Sequence, residues 1–203
     1  MADPRAIRNK RLINEYNELM KINSSVIQIE PIGSAPYEKY KITYNIRTII
    51  SPTPTYRNTT VCTLTIPPNY PAKDGAPRII AESSPPPWHV NWYTDGRWCS
   101  AYYSSNFNPD ESLVNLILRC ARVLQFDPVI ANPDSAANPS AKEFWFANKN
   151  NKRIIPCDVQ PLPIIDASGR IILPDKPKPT IVINSAPQNK PKISILPKND
   201  GNS

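Results

Sequence analysis

The stretch His89-Val90-Asn91-Trp92-Tyr93-Thr94-Asp95-Gly96-Arg97-Trp98-Cys99 decides how this chain reads. It sets the only histidine among 203 residues, an asparagine, a glycine and a cysteine at fixed offsets. His89 lies ten residues before Cys99, Asn91 eight and Gly96 three. Asp95-Gly96 is a turn dipeptide, and Gly96 supplies the positive φ that a tight turn beside a reactive thiol needs. Asn91 carries an amide donor with no charge to lose, which suits an oxyanion formed when a thiolate attacks a carbonyl. The plainer reading is a Trp-rich surface loop with a buried thiol, the usual state of a lone cysteine.

Composition bounds the alternatives. The length suits one domain with an appendage. The cysteines at 62, 99, 120 and 157 show no paired short spacing, and one histidine cannot build the usual zinc sites, so no metal is expected. No apolar run approaches the ~20 residues of a membrane span, and no apolar leader opens the chain, so no membrane association is expected. With a thiol placed for chemistry, this favours the reducing cytoplasm. The net charge of +7 divides as 16 Lys/Arg against 13 Asp/Glu over residues 1–150, and 8 against 4 over residues 151–203. No dense basic run alternates with aromatics, so nothing argues for nucleic-acid binding.

Working outward, Asp3-Pro4 reads as an N-cap and first helical residue, and Leu12, Ile13, Tyr16, Leu19 and Met20 recur at helical spacing. A helix over residues 4–22 follows, with Arg5, Arg8, Lys10 and Arg11 on its early exposed side. Residues 25–30, 37–50 and 60–67 read as strands, with a fourth at 78–82. Tyr40, Ile42, Tyr44 and Ile46 alternate onto one face, as do Cys62, Leu64 and Ile66, which makes Cys62 a core residue. One helix followed by a meander predicts an α+β fold: a four-stranded antiparallel sheet with helices packed on one face. Between the third and fourth strands, Ile66-Pro67-Pro68-Asn69-Tyr70-Pro71 forms a rigid corner anchored by one aromatic. After Cys99, Phe107-Asn108-Pro109 caps and starts a helix, with Asp110 and Glu111 in its first turn and Leu113, Leu116, Ile117, Cys120 and Leu124 as its apolar stripe. Asp127-Pro128 ends it. The loop Asn132-Pro133-Asp134-Ser135-Ala136-Ala137-Asn138 then precedes a short helix carrying Ala141, Phe144 and Trp145.

These motifs, in this order over roughly residues 4–148, resemble the ubiquitin-conjugating enzymes. That family reads His-Pro-Asn, a turn with Gly, then Ile-Cys-Leu; it also carries a Pro-x-x-Tyr-Pro corner, a Trp-x-Pro motif and an Asn-Pro-x-(Ser/Asp)-Pro-x-Asn loop. Here Val90 replaces proline, Trp98 isoleucine, Ser100 leucine and Phe107 tryptophan, and Val129-Ile130-Ala131 is an insertion. The resemblance is to a divergent member, of the distance expected for a prokaryotic one. It implies that Cys99 accepts ubiquitin or a ubiquitin-like protein as a thioester from an activating enzyme and passes it to a target amine. It also implies that Asn91 stabilises the oxyanion or holds the neighbouring loop, and that Ser135 positions the incoming lysine. His89 and Gly96 become structural supports, and Arg5, Arg8 and Arg11 part of an activating-enzyme docking face. No cofactor is implied, because ATP is consumed by the activating enzyme; a ligase is a further partner the family uses. A Cys–His–Asn hydrolase is the rival for the same residues, weakened because His89 and Cys99 share one loop. An inactive binding module of the same fold is the second reading, opposed by the presence of Cys99.

Residues 151–203 hold 9 of the 25 prolines and read as a basic, Pro-rich tail, largely extended or disordered, appended to a domain of residues 1–150. Short β-type runs at 171–173, 180–184 and 193–196 could add to a partner's sheet edge, and residues 166–169 could turn a hairpin. Cys157 has no neighbour that would depress a thiol pKa.

Overall fold

A computed structural model describes residues 3–100, 107–166, 168 and 170–174. The first helix, α1 (Pro4–Lys21), opens as its sequence requires: the Asp3 carboxylate accepts the Arg5 amide at 2.9 Å and Pro4 occupies the first turn. Its buried line is Leu12, Glu15 and Leu19, with Tyr16 and Met20 partly covered. Ile13, expected on that line, is instead 51% exposed. The apolar stripe is narrower than the spacing suggested because a carboxylate, Glu15, holds a core-facing position.

Glu15 is retained there by three donors. Its Oε1 accepts from Arg11 Nε at 2.7 Å and from the Tyr70 hydroxyl at 2.8 Å, and its Oε2 accepts from the Leu113 amide at 2.9 Å. One buried carboxylate thus ties the first helix to the proline corner and to the start of the second helix, with its charge answered by a guanidinium.

The strands are β1 (Ile27–Ile32), β2 (Lys39–Tyr44), β3 (Thr48–Ile49), β4 (Tyr56–Arg57), β5 (Thr60–Thr65) and β6 (Arg78–Ala81). Four of them form one antiparallel sheet in the order β1-β2-β5-β6, with Ile29 opposite Ile42, Ile42 opposite Cys62, and Leu64 opposite Ile79. The expected meander is present. The single strand expected over 37–50 is two, because the Arg47 amide leaves the ladder to donate to Asp158 Oδ2 at 2.7 Å; beyond it β3 pairs with β4 around the proline loop. Tyr40, Ile42, Tyr44, Cys62, Leu64 and Ile79 all face the core shared by α1 and α2.

The helix α2 (Leu113–Leu124) starts later than its sequence suggested. Asn108 caps only a turn, accepting the Asp110 amide at 3.0 Å, while Ser112 is the N-cap and accepts the Asn115 amide at 3.1 Å. Asp110 and Glu111 therefore precede the helix. The predicted stripe of Leu113, Leu116, Ile117, Cys120 and Leu124 is buried. The helix α3 (Pro139–Asn148), N-capped by Asn138, packs elsewhere: Ala141 and Trp145 join Ile49, Val90, Phe126, Ile155 and Cys157 in a second cluster. The expectation of all helices on one sheet face holds for α1 and α2 and fails for α3, which backs the loop carrying Val90.

The chain beyond residue 150 continues to pack on the domain. Ile155 and Cys157 are buried, Leu162 packs against the main core, and Gln160 Nε2 donates to the Asn45 carbonyl at 2.6 Å. The Cys157 thiol, pushed up to about 12 chiefly by burial, donates to the Arg47 carbonyl at 3.0 Å. The short strands β7 (Ile164–Ile165) and β8 (Ile171–Ile172) form the expected hairpin. Alternating apolar and hydrogen-bonding residues thus stitch 151–165 to the domain, despite a composition that reads as tail. Residues 167 and 169 of the turn, and the runs at 180–184 and 193–196, lie outside the described residues. Among those described, no helix is long and apolar enough to cross a membrane.

Candidate functional site

The stretch 89–99 is a closed loop laid against the sheet's last strand. Trp98 donates its amide to the Ile79 carbonyl at 3.0 Å, and Ala81 donates to the Gly96 carbonyl at 2.8 Å. Trp92 and Trp98 are bridged across the loop and fully buried, which anchors both arms by two of the largest side chains available. Gly96 sits at φ +88°, and a Cβ there would stand 2.9 Å from the Ala81 carbonyl oxygen. Only glycine fits this turn without strain or clash.

Within that frame, Cys99 is half-buried and lines a cavity of about 350 Å³ with Asn91, Trp98, Ser100, Arg119, Val123, Ile130, Asn132 and Ser135. Three residues singled out from the sequence, Cys99, Asn91 and Ser135, therefore meet at one site. Asn91 Oδ1 accepts the Asn132 amide at 3.2 Å, which fixes its amide orientation because a backbone N–H can only donate. Its Nδ2 then keeps both hydrogens, and it has no hydrogen-bond partner among the described residues. The Cys99 amide is occupied by the Asn91 carbonyl at 2.7 Å. Among the described side chains that line the cavity with the thiol, Asn91 thus carries an amide donor without a hydrogen-bond partner.

The loop 132–138 is clamped over this site. The Ala137 amide donates to the Val90 carbonyl at 2.7 Å, and Ser135 donates its amide to Asn132 Oδ1 at 3.3 Å while its side chain stays exposed. Val129 is exposed, whereas Ile130 turns into the cavity.

His89 does not line the cavity. It is buried between Phe126 and Trp145, with ring centroids 4.5 and 5.7 Å away. Its Nδ1 accepts the Asn91 amide at 2.9 Å, and burial lowers its pKa to about 3. A neutral imidazole with one nitrogen already engaged and no route to the thiol cannot serve Cys99 as a base. This removes the geometry that a Cys–His–Asn hydrolase needs.

Two residues of the site were not singled out from the sequence. Arg119 brings a guanidinium to the cavity wall, 5.7 Å from the centroid of the Trp98 ring and 3.7 Å from Glu111 Oε1. Its sequence signal is weak, because the same helix carries a second arginine, Arg122, that pairs with Asp127. Tyr93 stands beside the thiol. Its phenol is raised, first by the charge of a Cys99 thiolate, then by partial burial and a hydrogen bond to Cys99, with Arg97 opposing. The other cysteines are unsuited to chemistry: burial pushes Cys62 well up and Cys120 up to about 12.

The basic face of α1 lies apart from this cavity and is less free than its sequence suggested. Arg5 is exposed. Arg8 pairs with Glu38 at 2.5 Å and donates to the Pro67 carbonyl, and Arg11 donates to Glu15 and to the Glu111 carbonyl. Among the described residues, no group of three His, Cys, Asp or Glu side chains is arranged to hold a metal ion.

The fold and site together define an α+β domain with an antiparallel meander, whose last strand supports a loop presenting one accessible cysteine to an asparagine-lined cavity. No protein-family model matches the chain, and no curated protein does. Solved structures similar to it include a ubiquitin conjugating enzyme E2 from Plasmodium falciparum, 26% identical over 57% of this chain and 82% of that one, with a TM-score of 0.46.

Proposed function

We propose that the chain is a conjugating enzyme of the ubiquitin type, carrying a ubiquitin-like protein on Cys99 and transferring it to an amine. The observation that carries this reading is the cavity that joins Cys99 to the Asn91 amide under the Ser135 loop. In the first step the Cys99 thiolate attacks the thioester carbonyl held on an activating enzyme. A C–S bond to Cys99 forms, and the activating enzyme's thiolate leaves. In the second step a deprotonated lysine amine attacks that carbonyl. The C–N bond forms, the C–S bond breaks, Cys99 leaves as thiolate and the ammonium proton passes to water. The Asn91 Nδ2 donors stabilise the oxyanion of both tetrahedral intermediates, while its Oδ1 keeps the loop over the site. Ser135, an exposed hydroxyl at the mouth, positions the lysine and does not act as a base. His89 and Gly96 hold the loop in shape, and the exposed end of α1 around Arg5, with Arg8 and Arg11, meets the activating enzyme. The chain needs no cofactor; ATP is spent upstream.

The test is a single-turnover discharge experiment: load the purified chain with a matched activating enzyme, ATP and ubiquitin-like protein, quench the ATP, then add free lysine. A thiol-labile adduct that decays with lysine supports the reading. Binding of the ubiquitin-like protein with no adduct on Cys99 would make the chain a binding module and sink it.

A further inference from the structure

A groove of about 220 Å³ shares no lining residue with the thiol cavity. Its apolar walls are Ile50 and Pro52 from the loop between β3 and β4, the run Pro85-Pro86-Pro87, and the ring of Trp88. Two bonds hold the proline run against the β3–β4 hairpin: the Trp88 amide donates to the Ile49 carbonyl at 2.8 Å, and Arg57 Nη1 donates to the Pro85 carbonyl at 2.8 Å. Trp88 is half-buried, and its indole nitrogen is covered and makes no hydrogen bond, so the ring offers the groove apolar surface. No charged side chain lines the groove. Its polar groups come from Ser51, Thr94 and Asn138, and Asn138 is the informative one. This side chain is 3% exposed, and its Oδ1 accepts the Ala141 amide at 3.3 Å as the cap of α3. The Nδ2 therefore keeps both hydrogens, and it makes no hydrogen bond among the described residues. A buried amide donor with nothing to donate to is costly, and this one lines the groove.

An uncharged wall of proline rings and one indole, with an amide donor at its edge, suits a proline-rich segment. Such a segment brings apolar rings and free carbonyl acceptors, and its prolines carry no amide donors that would need partners of their own. The chain supplies one. Beyond Pro174 run 29 residues with prolines at 177, 179, 187, 191 and 197. Pro187, Pro191 and Pro197 lie 13 to 23 residues past Pro174, and 13 residues alone span up to about 43 Å at ~3.3 Å each. A domain of this size is about 40 Å across, so these prolines reach the groove from any point of departure. We infer that the groove is the docking site for this chain's own residues 187–197, with proline rings against Trp88 and a backbone carbonyl accepting from Asn138 Nδ2. Tethering gives the segment an effective concentration on the order of millimolar, so a contact too weak to hold a free peptide is largely occupied within the chain. Thr94 belongs to the turn beneath Cys99 and Asn138 to the loop clamped over the thiol, so the docked segment braces both. The docking does not depend on the acyl-transfer reading.

The test is photo-crosslinking in the full chain. p-Benzoylphenylalanine replaces Pro52 or, separately, Thr94, and the irradiated protein is separated by size and mapped by mass spectrometry. The expected product is a monomer whose crosslink joins the label to residues 187–197. Its yield should fall to background when Pro187→Ala, Pro191→Ala and Pro197→Ala are combined, a change remote from the folded domain. Asn138→Asp keeps the acceptor that caps α3 and removes both Nδ2 donors, so it should lower the yield at least twofold with little change in thermal unfolding. A free peptide of residues 187–197 at millimolar concentration should compete, and a scrambled peptide should not. Crosslinks from both positions that avoid residues 187–197 overturn the proposal, as does a yield that survives the triple proline change. A dimer-sized product would give the groove to a second copy of the chain. Competition by a ten-proline peptide at concentrations where the 187–197 peptide has no effect would give it to a partner's proline run. Either result removes the tail as occupant.

Discussion

Lowering the pH should destabilise this protein through one residue, because its only histidine is buried in neutral form. His89 has its pKa lowered to about 3 by burial against Phe126 and Trp145, compared with about 6.5 in an unfolded chain. The unfolded state therefore binds a proton that the folded state refuses, and stability falls as pH drops from 6.5 towards 3. The stabilisation is complete above pH 6.5. Between about pH 7 and pH 5 the loss is about 2 kcal/mol, and it reaches about 4 kcal/mol at pH 3 on the same linkage. The two carboxylates held below their ordinary values, Asp95 and Asp166, titrate under this window. The slope between pH 7 and pH 5 thus belongs to His89. Urea unfolding at intervals over that range should show the midpoint falling with an unchanged m-value. His89→Asn, which keeps an acceptor for the Asn91 amide, should start less stable and lose little more on acidification. A wild-type midpoint that stays flat between pH 7 and pH 5, or a histidine NMR resonance titrating near 6.5, would refute the burial argument.

Three further perturbations separate the parts of the site. Gly96→Ala places a Cβ 2.9 Å from the Ala81 carbonyl oxygen at φ +88°, and should cost about 2–3 kcal/mol, read as a lower urea midpoint. Asn91→Asp keeps an acceptor for the Asn132 amide but removes both Nδ2 donors. It should leave thermal stability nearly unchanged while slowing lysine discharge roughly 100-fold, and equal losses in stability and rate would show that Asn91 only holds the loop. Glu15→Gln turns an amide nitrogen either towards the Leu113 amide or towards Arg11 and Tyr70 together, and should cost about 2–3 kcal/mol; a change below about 0.5 kcal/mol would show that this cluster does not tie the elements together.

Much of the framework was legible because it rests on local rules. Asp3-Pro4 starts a helix, alternation assigns the faces of β2 and β5, and Asp95-Gly96 marks the turn beneath Cys99. What was not legible depends on pairing at long range. Glu15 looks like a surface residue of an amphipathic helix until Tyr70 and Leu113, distant in sequence, supply its donors. The start of α2 could not be read from Asn108-Pro109, since Ser112 competes as a cap and the Leu113 amide is claimed by Glu15. Residues 151–165 carry the composition of a tail, yet Asp158 and Gln160 bond to the backbone at Arg47 and Asn45. The offsets of Asn91 and Cys99 made the cavity visible, but the bond from the Asn132 amide that orients Asn91, and the presence of Arg119 and Tyr93, required coordinates.

The central claim is that Cys99 is the acyl carrier, and intact-mass and peptide-mapping mass spectrometry of the loaded chain tests it most directly. The wild type should gain the mass of one ubiquitin-like protein less water, on the peptide containing Cys99, and lose it on treatment with thiol. Cys99→Ser should give a thiol-resistant ester at the same position or no adduct. An adduct that resists thiol in the wild type, or that persists on another residue in Cys99→Ser, would contradict the account.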